Sequence, residues 1–498
     1  MTLSQQSSQA HFPSIVIIGS GFGGLGMAIQ LKKAGFHQFT ILEKAGGVGG
    51  TWRDNTYPGA ACDVQSHLYS YSFEPKHDWS RKFSPQKEIL GYMEHCVQKY
   101  GLKSHLRFHS EVREAAFDSQ RNEWTVTLAD GESLCANVLI TATGQLNQPA
   151  WPDIPGMDQF AGKIFHSARW DHDYDLADKR VAVIGTGASA IQFVPEIARQ
   201  VKSLTLFQRS AAWVLTKPDR RFTRLEHNLF RYMPGWDRLY RAMIYWKNES
   251  RALAFTRFNG LLELFARQAR QEARKQVTDP DKLRHIIPDY QIGCKRILIS
   301  NEWYPAINRP NVSLVTNGID HIDSRGILDR DGTHHPADAI IFGTGFKASE
   351  FLSPMKITGR SGITLNQAWQ DGAAAFKGIT VSGFPNLFML YGPNTNLAHN
   401  SIVYMLESQF RYVISALNTL KKYPGSAMDV RKERQDRFTS VIQGGLKGSV
   451  WDSGCTSWYL DANGKNTVNW PGFTFSYRFA TRQANTTDYQ FLYPDKSH

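Results

Sequence analysis

The chain has 498 residues, 42% of them hydrophobic and 20% charged, with a formal net charge of +12 and a sequence pI near 9.3. That length exceeds what one compact core sustains and points to about three domains. No apolar run approaches a bilayer span, and the basic residues are scattered, so neither an integral membrane segment nor a nucleic-acid or membrane-binding face is expected.

Residues 1–13 are polar and lack the basic-then-apolar pattern of a secretory leader, which predicts a loose N-terminal tail on a soluble, cytoplasmic chain. Cys62, Cys96, Cys135, Cys294 and Cys455 lie far apart, with no Cys-x-x-Cys. Neither a disulfide framework nor a metal site is expected, and the thiols read as reduced.

In chain order, the first informative stretch is Ile15-Val-Ile-Ile-Gly-Ser-Gly-Phe-Gly-Gly24. An apolar, β-branched run followed by glycines at Gly19, Gly21 and Gly24 predicts a buried parallel strand. Its tight turn opens a helix with backbone N–H groups aimed at a phosphate. Glu43 stands twenty-four residues after Gly19, at the end of the next strand, Phe39–Leu42. A carboxylate there accepts ribose hydroxyls, which suits FAD or NAD. Gly46 to Gly59 then holds five glycines in fourteen residues, a loop that brings backbone close to something flat or charged. Its Trp52 and Tyr57, with Tyr69 beyond, argue against an ordinary solvent loop.

A helix is predicted over 88–99. Strands follow near 106–108, 111–117 and 124–128, and a buried strand at Val138–Thr141 ends in Ala142-Thr-Gly144. Prolines at 149, 152 and 155 mark a crossing to the next domain. There the opening plan repeats: Val181-Ala-Val-Ile-Gly-Thr-Gly-Ala-Ser-Ala190. Twenty-four residues after Gly185 stands Arg209, whose guanidinium pairs with a 2′-phosphate and so suits NADP. One such motif is weak; two in register, each with its discriminating residue, imply two dinucleotides.

From Arg221 to Pro288, apolar residues recur at helical spacing (Phe230, Met233, Tyr240, Ile244; then Leu261, Leu264, Phe265). The expectation is a helical insertion that packs on the neighbouring domain as an amphipathic scaffold, shapes a substrate cavity or meets a membrane. Strand texture returns at Val312–Val315, Asp338–Phe346 and Leu387–Pro393, and a long helix is predicted from Ser401 to about Leu420. The tail, with Trp451, Trp458, Tyr459, Trp470 and Phe473, is too aromatic for a disordered end and is expected to close over a site.

Phe160-Ala-Gly-Lys-Ile-Phe-His-Ser-Ala-Arg-Trp-Asp171 matches every specified position of the fingerprint of type I Baeyer–Villiger monooxygenases: Phe, x, Gly, three x, His, three x, Trp, then Pro or Asp. The chain also resembles that family at Gly49-Gly-Thr-Trp52, Tyr57-Pro-Gly59, Asp63 and Asp338–Phe346, and Gly293-Cys-Lys-Arg296 looks like its active-arginine segment. The resemblance implies an α/β chain with two Rossmann-like dinucleotide-binding domains, for FAD and NADP, and a helical insertion. The expected division is 1–150 with 385–498 for FAD, 151–220 with 331–384 for NADP, and 221–330 as insertion and connector.

The chemistry implied is that NADPH reduces FAD, dioxygen adds at the flavin C4a position, and the peroxide, kept as an anion, attacks an apolar ketone to give an ester or lactone. Arg296 and Asp63 are the implied catalytic pair: a guanidinium that stabilises the anion without surrendering a proton, and the carboxylate that holds it. The candidate cofactor-binding residues around the first turn are Gly19, Gly21, Phe22, Gly24, Glu43, Gly50, Thr51, Trp52, Asp63, Tyr69 and Val112. Around the second they are Gly185, Thr186, Gly187, Ala188, Ser189, Gln208, Arg209, Lys295 and Trp458. His166 and Trp170 are expected to couple domain movement rather than touch substrate. The partners expected are the ketone and dioxygen, with the protein a monomer or weak homo-oligomer. Three alternatives stand beside this one: oxygenation of nitrogen or sulfur, a flavin disulfide reductase, for which Cys62 lacks a close partner, and a nucleotide sensor without turnover.

Overall fold

The computed structural model describes residues 12–455 and 457–494; the predicted N-terminal tail lies mostly outside them. Two five-stranded parallel sheets organise the chain. The first runs in the order Leu387–Met389, Val138–Thr141, Ile15–Ile18, Phe39–Leu42, Leu106–Arg107. The second runs Val312–Val315, Ser203–Phe207, Arg180–Ile184, Ala339–Phe342, Lys163–His166. In each, the strand before the glycine turn is central. One neighbour leads to the discriminating residue and the other ends in small residues.

The repeat extends to backbone contacts. Gly19 and Gly185 both have positive φ, +101° and +109°. A Cβ at Gly19 would lie 2.7 Å from the Ala142 carbonyl oxygen, and one at Gly185 would lie 2.5 Å from that of Gly343. Only glycine combines this backbone with so close an approach, and so each turn can tuck beneath the end of its neighbouring strand.

Strand pairing moves two of the expected boundaries. Val312–Val315, placed by the sequence in the connector, is an edge strand of the second sheet. Lys356–Thr358, expected with the second domain, pairs parallel with Val112–Asp118 in the antiparallel unit beside the first sheet. Such short strands carry too little periodicity to reveal which edge they will join.

The long helix runs Ile402–Leu420, with the Ser401 hydroxyl accepting from the Val403 amide at 3.3 Å, a side-chain cap. It crosses Phe22–Lys33 closely because Gly26 faces the buried Phe410 ring. The insertion is helical as expected, at Arg224–Tyr232, Trp236–Glu249, Ala252–Thr256, Leu262–Gln276 and Pro280–Ile286. The expectation that its apolar residues pack inward holds only in part. Phe230 and Ile244 are buried, while Met233, Leu261 and Leu264 are 49%, 48% and 62% exposed.

The reduced-thiol expectation is overturned at one pair: Cys294 and Cys455 form a disulfide, their Cα atoms 6.3 Å apart. Their sequence separation of 161 puts the pairing beyond any spacing rule. Among the described residues, no group of three or more potential metal ligands occurs.

A Cβ at position 26 would meet the Phe410 ring at 2.5 Å and Tyr71 at 2.8 Å. Gly26→Ala is therefore expected to destabilise the fold by about 1–3 kcal/mol and to lower the melting temperature measurably. An unchanged thermal melt would mean that the two helices can part without loss.

Candidate active site

The carboxyl ends of both sheets face one cavity of about 1170 Å³, the position at which open parallel sheets bind ligands. Of the residues expected to bind cofactor, all but Gly24 line it. Gly24 serves the turn from below, since a Cβ there would lie 1.9 Å from the Gly19 carbonyl oxygen. Phe22, Tyr69 and Val112 lie along the first turn's side of the wall with Gly50, Thr51 and Trp52, and the Trp52 indole donates to the Tyr69 hydroxyl at 3.2 Å.

Glu43 is 4% exposed and fixed from several directions. Its Oε2 accepts from the Ser20 hydroxyl at 2.7 Å and the Ser20 amide at 3.1 Å, and its Oε1 pairs with Arg53 at 3.0 Å. At the second turn, Thr186 donates to the Ser210 carbonyl at 3.1 Å, and Gln208 donates to the His285 carbonyl at 2.7 Å. Gly187, Ala188 and Ser189 continue the wall. Lys295 donates to the Ser210 hydroxyl at 3.0 Å. Burial and the neighbouring Arg209 charge both push the Lys295 ammonium below its ordinary value. Two cations so placed, one with a weakened hold on its proton, suit a phosphate that would stabilise both.

Arg296 and Asp63, 233 residues apart, meet in the cavity wall. Arg296 Nε donates to Asp63 Oδ2 at 3.0 Å, and a second guanidinium nitrogen donates to the same oxygen. Burial opposes ionisation of Asp63, but the charge and hydrogen bonds of Arg296 outweigh it and hold the carboxyl below the usual carboxylate range. Asp63 in turn raises the guanidinium above its already high value. About a third of each side chain remains open.

Tyr391 and Tyr459 lie in the field of Arg296. Burial pushes the Tyr459 phenol up to about 12 against the pull of Arg296, so it stays a neutral hydroxyl. The disulfide ties the arginine segment to the tail: Cys294 precedes Lys295, and Cys455 stands three residues before Trp458, which lines the cavity.

Sequence reasoning missed Gln145. It is 5% exposed, lines the cavity, and neither atom of its side-chain amide has a hydrogen-bond partner. A buried amide left unsatisfied is costly, and here it points to a polar ligand that completes it. No local pattern marks a glutamine for this role. Tyr391, Asn396 and Arg330 also join the wall unforeseen.

The fingerprint residues lie elsewhere. His166 is fully buried, its Nδ1 accepting from the Ala168 amide at 3.1 Å. Trp170 packs on Phe165 and Phe193, in the cluster that contains Tyr57 and Ala60. There the glycine-rich loop meets the second domain: the Ala61 amide donates to the Gln192 side chain at 2.8 Å. The fingerprint thus packs beside the loop that carries Asp63.

The family model described as pyridine nucleotide-disulphide oxidoreductase matches residues 16–224. A Baeyer–Villiger monooxygenase of Streptomyces coelicolor is 46% identical over 482 residues, covering 96% of this chain and 93% of that protein. One from Pseudomonas aeruginosa is 46% identical over 491 residues, covering 98% and 93%. The chain belongs to the Baeyer–Villiger monooxygenases. A solved structure of cyclohexanone monooxygenase from Rhodococcus sp. Phi1, bound to NADP+, matches the fold of this monooxygenase with a TM-score of 0.87 at 28% identity, over 97% of this chain and 99% of that one. The chain is an α/β flavoprotein monooxygenase dependent on FAD and NADPH. A disulfide reductase would need a second thiol at the site, and Cys62 is the one cysteine among the described residues that lines the cavity. Burial pushes its thiol well up, away from the reactive thiolate.

His166 gives a prediction for pH. Burial, with the Arg169 charge, lowers it from 6.5 to about 4, the Gly345 backbone working the other way. The folded chain therefore binds fewer protons there than the unfolded chain. The stability it contributes is whole above pH 6.5 and is lost as pH falls towards about 4. Thermal melts across that window are expected to fall more steeply for the wild type than for His166→Gln. Parallel curves would contradict the assignment.

Proposed function

We propose that this monooxygenase converts an apolar ketone to an ester or lactone, with Arg296 stabilising the negative charge that develops on oxygen and Asp63 holding it in place. The observation that carries this reading is the Arg296–Asp63 ion pair in the wall of the cavity lined by both glycine turns.

The chain's part in the reaction divides into holding, charging and drying. The two turns present backbone N–H groups at helix starts, suited to the pyrophosphates of FAD and NADP. Glu43 would accept hydroxyls of a ribose, and Arg209 with Lys295 would pair with a 2′-phosphate. FAD and NADPH held there would supply the electrons and the position at which dioxygen is activated.

Arg296 acts on the oxygens of the reaction. A guanidinium donates hydrogen bonds but does not give up its proton at working pH, so it favours an oxygen anion without quenching it. Dryness sets how much this is worth. A unit charge forming about 4 Å away gains about 1 kcal/mol in water but about 4 kcal/mol at an effective dielectric of about 20. Tyr391 and the buried Tyr459 lie in the field of Arg296, and Trp458 lines the same cavity. An electrophilic oxygen transfer to nitrogen or sulfur would instead need an oxygen kept protonated, which Arg296 opposes. The aromatic walls, Trp52, Tyr69, Tyr391 and Trp458 among them, suit an apolar substrate.

Arg296→Ala is expected to leave FAD bound and reducible by NADPH while ester formation falls by about 10²-fold or more, the loss typical of an oxyanion donor. Product analysis of a small ketone and sulfide panel reads this directly. A normal ester yield from the variant would refute the role. For the second nucleotide, Arg209→Ala should raise the KM for NADPH far more than that for NADH; equal rises would place the 2′-phosphate elsewhere.

A further inference from the structure

The insertion leaves a face that the reaction does not use. On the helix Trp236–Glu249, Leu239, Met243 and Trp246 recur at i, i+4 and i+7 and are 52%, 48% and 59% exposed. They form one stripe, while Ile244, Tyr245 and Asn248 on the opposite side are buried. Against this stripe lies the helix Thr474–Ala480: the rings of Trp246 and Phe475 are 6.1 Å apart. Phe475 and Phe479, one turn apart, are 43% and 70% exposed. Two elements more than two hundred residues apart in sequence thus present one apolar surface, the kind that marks an interaction site.

The exposed charges on this helix have one sign: Arg238 and Lys247 fall on the two flanks of the stripe at helical spacing. Between Arg221 and Leu262 no carboxylate is exposed: Glu226 is held by Arg220 at 2.6 Å, Asp237 is half-buried and Glu249 is buried.

We propose that this face binds the surface of an anionic lipid bilayer, with the stripe and Phe475/Phe479 seated at the acyl boundary and the flanking cations on the headgroups. Interfacial helices that lie on a membrane have this composition, and long basic side chains extend from an apolar face to phosphates. Spanning is not involved: among the described residues, no helix is long and apolar enough to cross a membrane. A second copy of the chain fits less well, because a two-fold interface would set this patch against itself and oppose cation to cation. The inner side of the same helix reaches the cavity wall through Glu249, whose carboxylate accepts from Asn400 at 2.6 Å. A bilayer-bound enzyme would thus carry its active site one helix above the lipid, whatever its substrate.

The test is co-sedimentation of the FAD-loaded enzyme with phosphatidylcholine vesicles, with and without phosphatidylglycerol. Binding is expected with the anionic vesicles, weakening as salt rises. Arg238→Gln with Lys247→Gln should weaken it about fivefold per charge removed. Leu239→Ser, Met243→Ser and Trp246→Ser together should weaken it at least about tenfold. FAD content and NADPH oxidation should stay unchanged in both variants. Three results would overturn the proposal: no binding to anionic vesicles at low ionic strength, equal binding by wild type and both variants, or self-association in sedimentation velocity that the triple variant abolishes.

Discussion

A positive charge that cannot be discharged, pinned by one carboxylate at the edge of the cavity, is the constraint around which this molecule is arranged. Arg296 has a fixed partner because Asp63 is delivered from the glycine-rich loop of the first domain, and the charge and hydrogen bonds of Arg296 hold Asp63 ionised against its partial burial. Removing either would leave an unpaired, partly buried charge in the cavity wall. The pair is thus a joint between domains as well as a chemical device.

Four consecutive residues concentrate the design. Gly293, with φ of +93°, lets the backbone turn against Leu262, Phe255 and Val450. Cys294 is bonded to the tail, Lys295 reaches towards the second nucleotide turn, and Arg296 reaches towards the first domain. One short segment thus contacts the insertion, the C-terminal segment and both nucleotide sites. The same economy appears at the glycine-rich loop, which supplies Asp63 to the cavity while its Gly59–Ala61 stretch packs on the helix Ala190–Ile197. Any shift of one domain against the other is therefore felt at the pair.

What could be read from the sequence was what backbone geometry demands locally. The two turns were legible because a positive φ beneath a neighbouring carbonyl admits glycine alone, and Glu43 and Arg209 because each stands at the end of the next strand. Arg296 and Asp63 were not legible as a pair from spacing; the family resemblance supplied them, since nothing local links residues 233 apart. The same distance hid the Cys294–Cys455 bond. Gln145 was missed because its meaning lies in unpaired atoms, visible only once burial is known. In the insertion, periodicity announced helices but not which side faces solvent, and Met233, Leu261 and Leu264 came out exposed. Strands as short as Lys356–Thr358 could not declare their sheet.

The central claim, that the Asp63-held guanidinium faces the reacting oxygens, is most directly tested by a crystal structure of the enzyme loaded with FAD and NADP. The expected result is Arg296 still paired with Asp63 and directed at the isoalloxazine ring. A guanidinium well away from that ring, beyond reach of any plausible loop movement, would contradict the account.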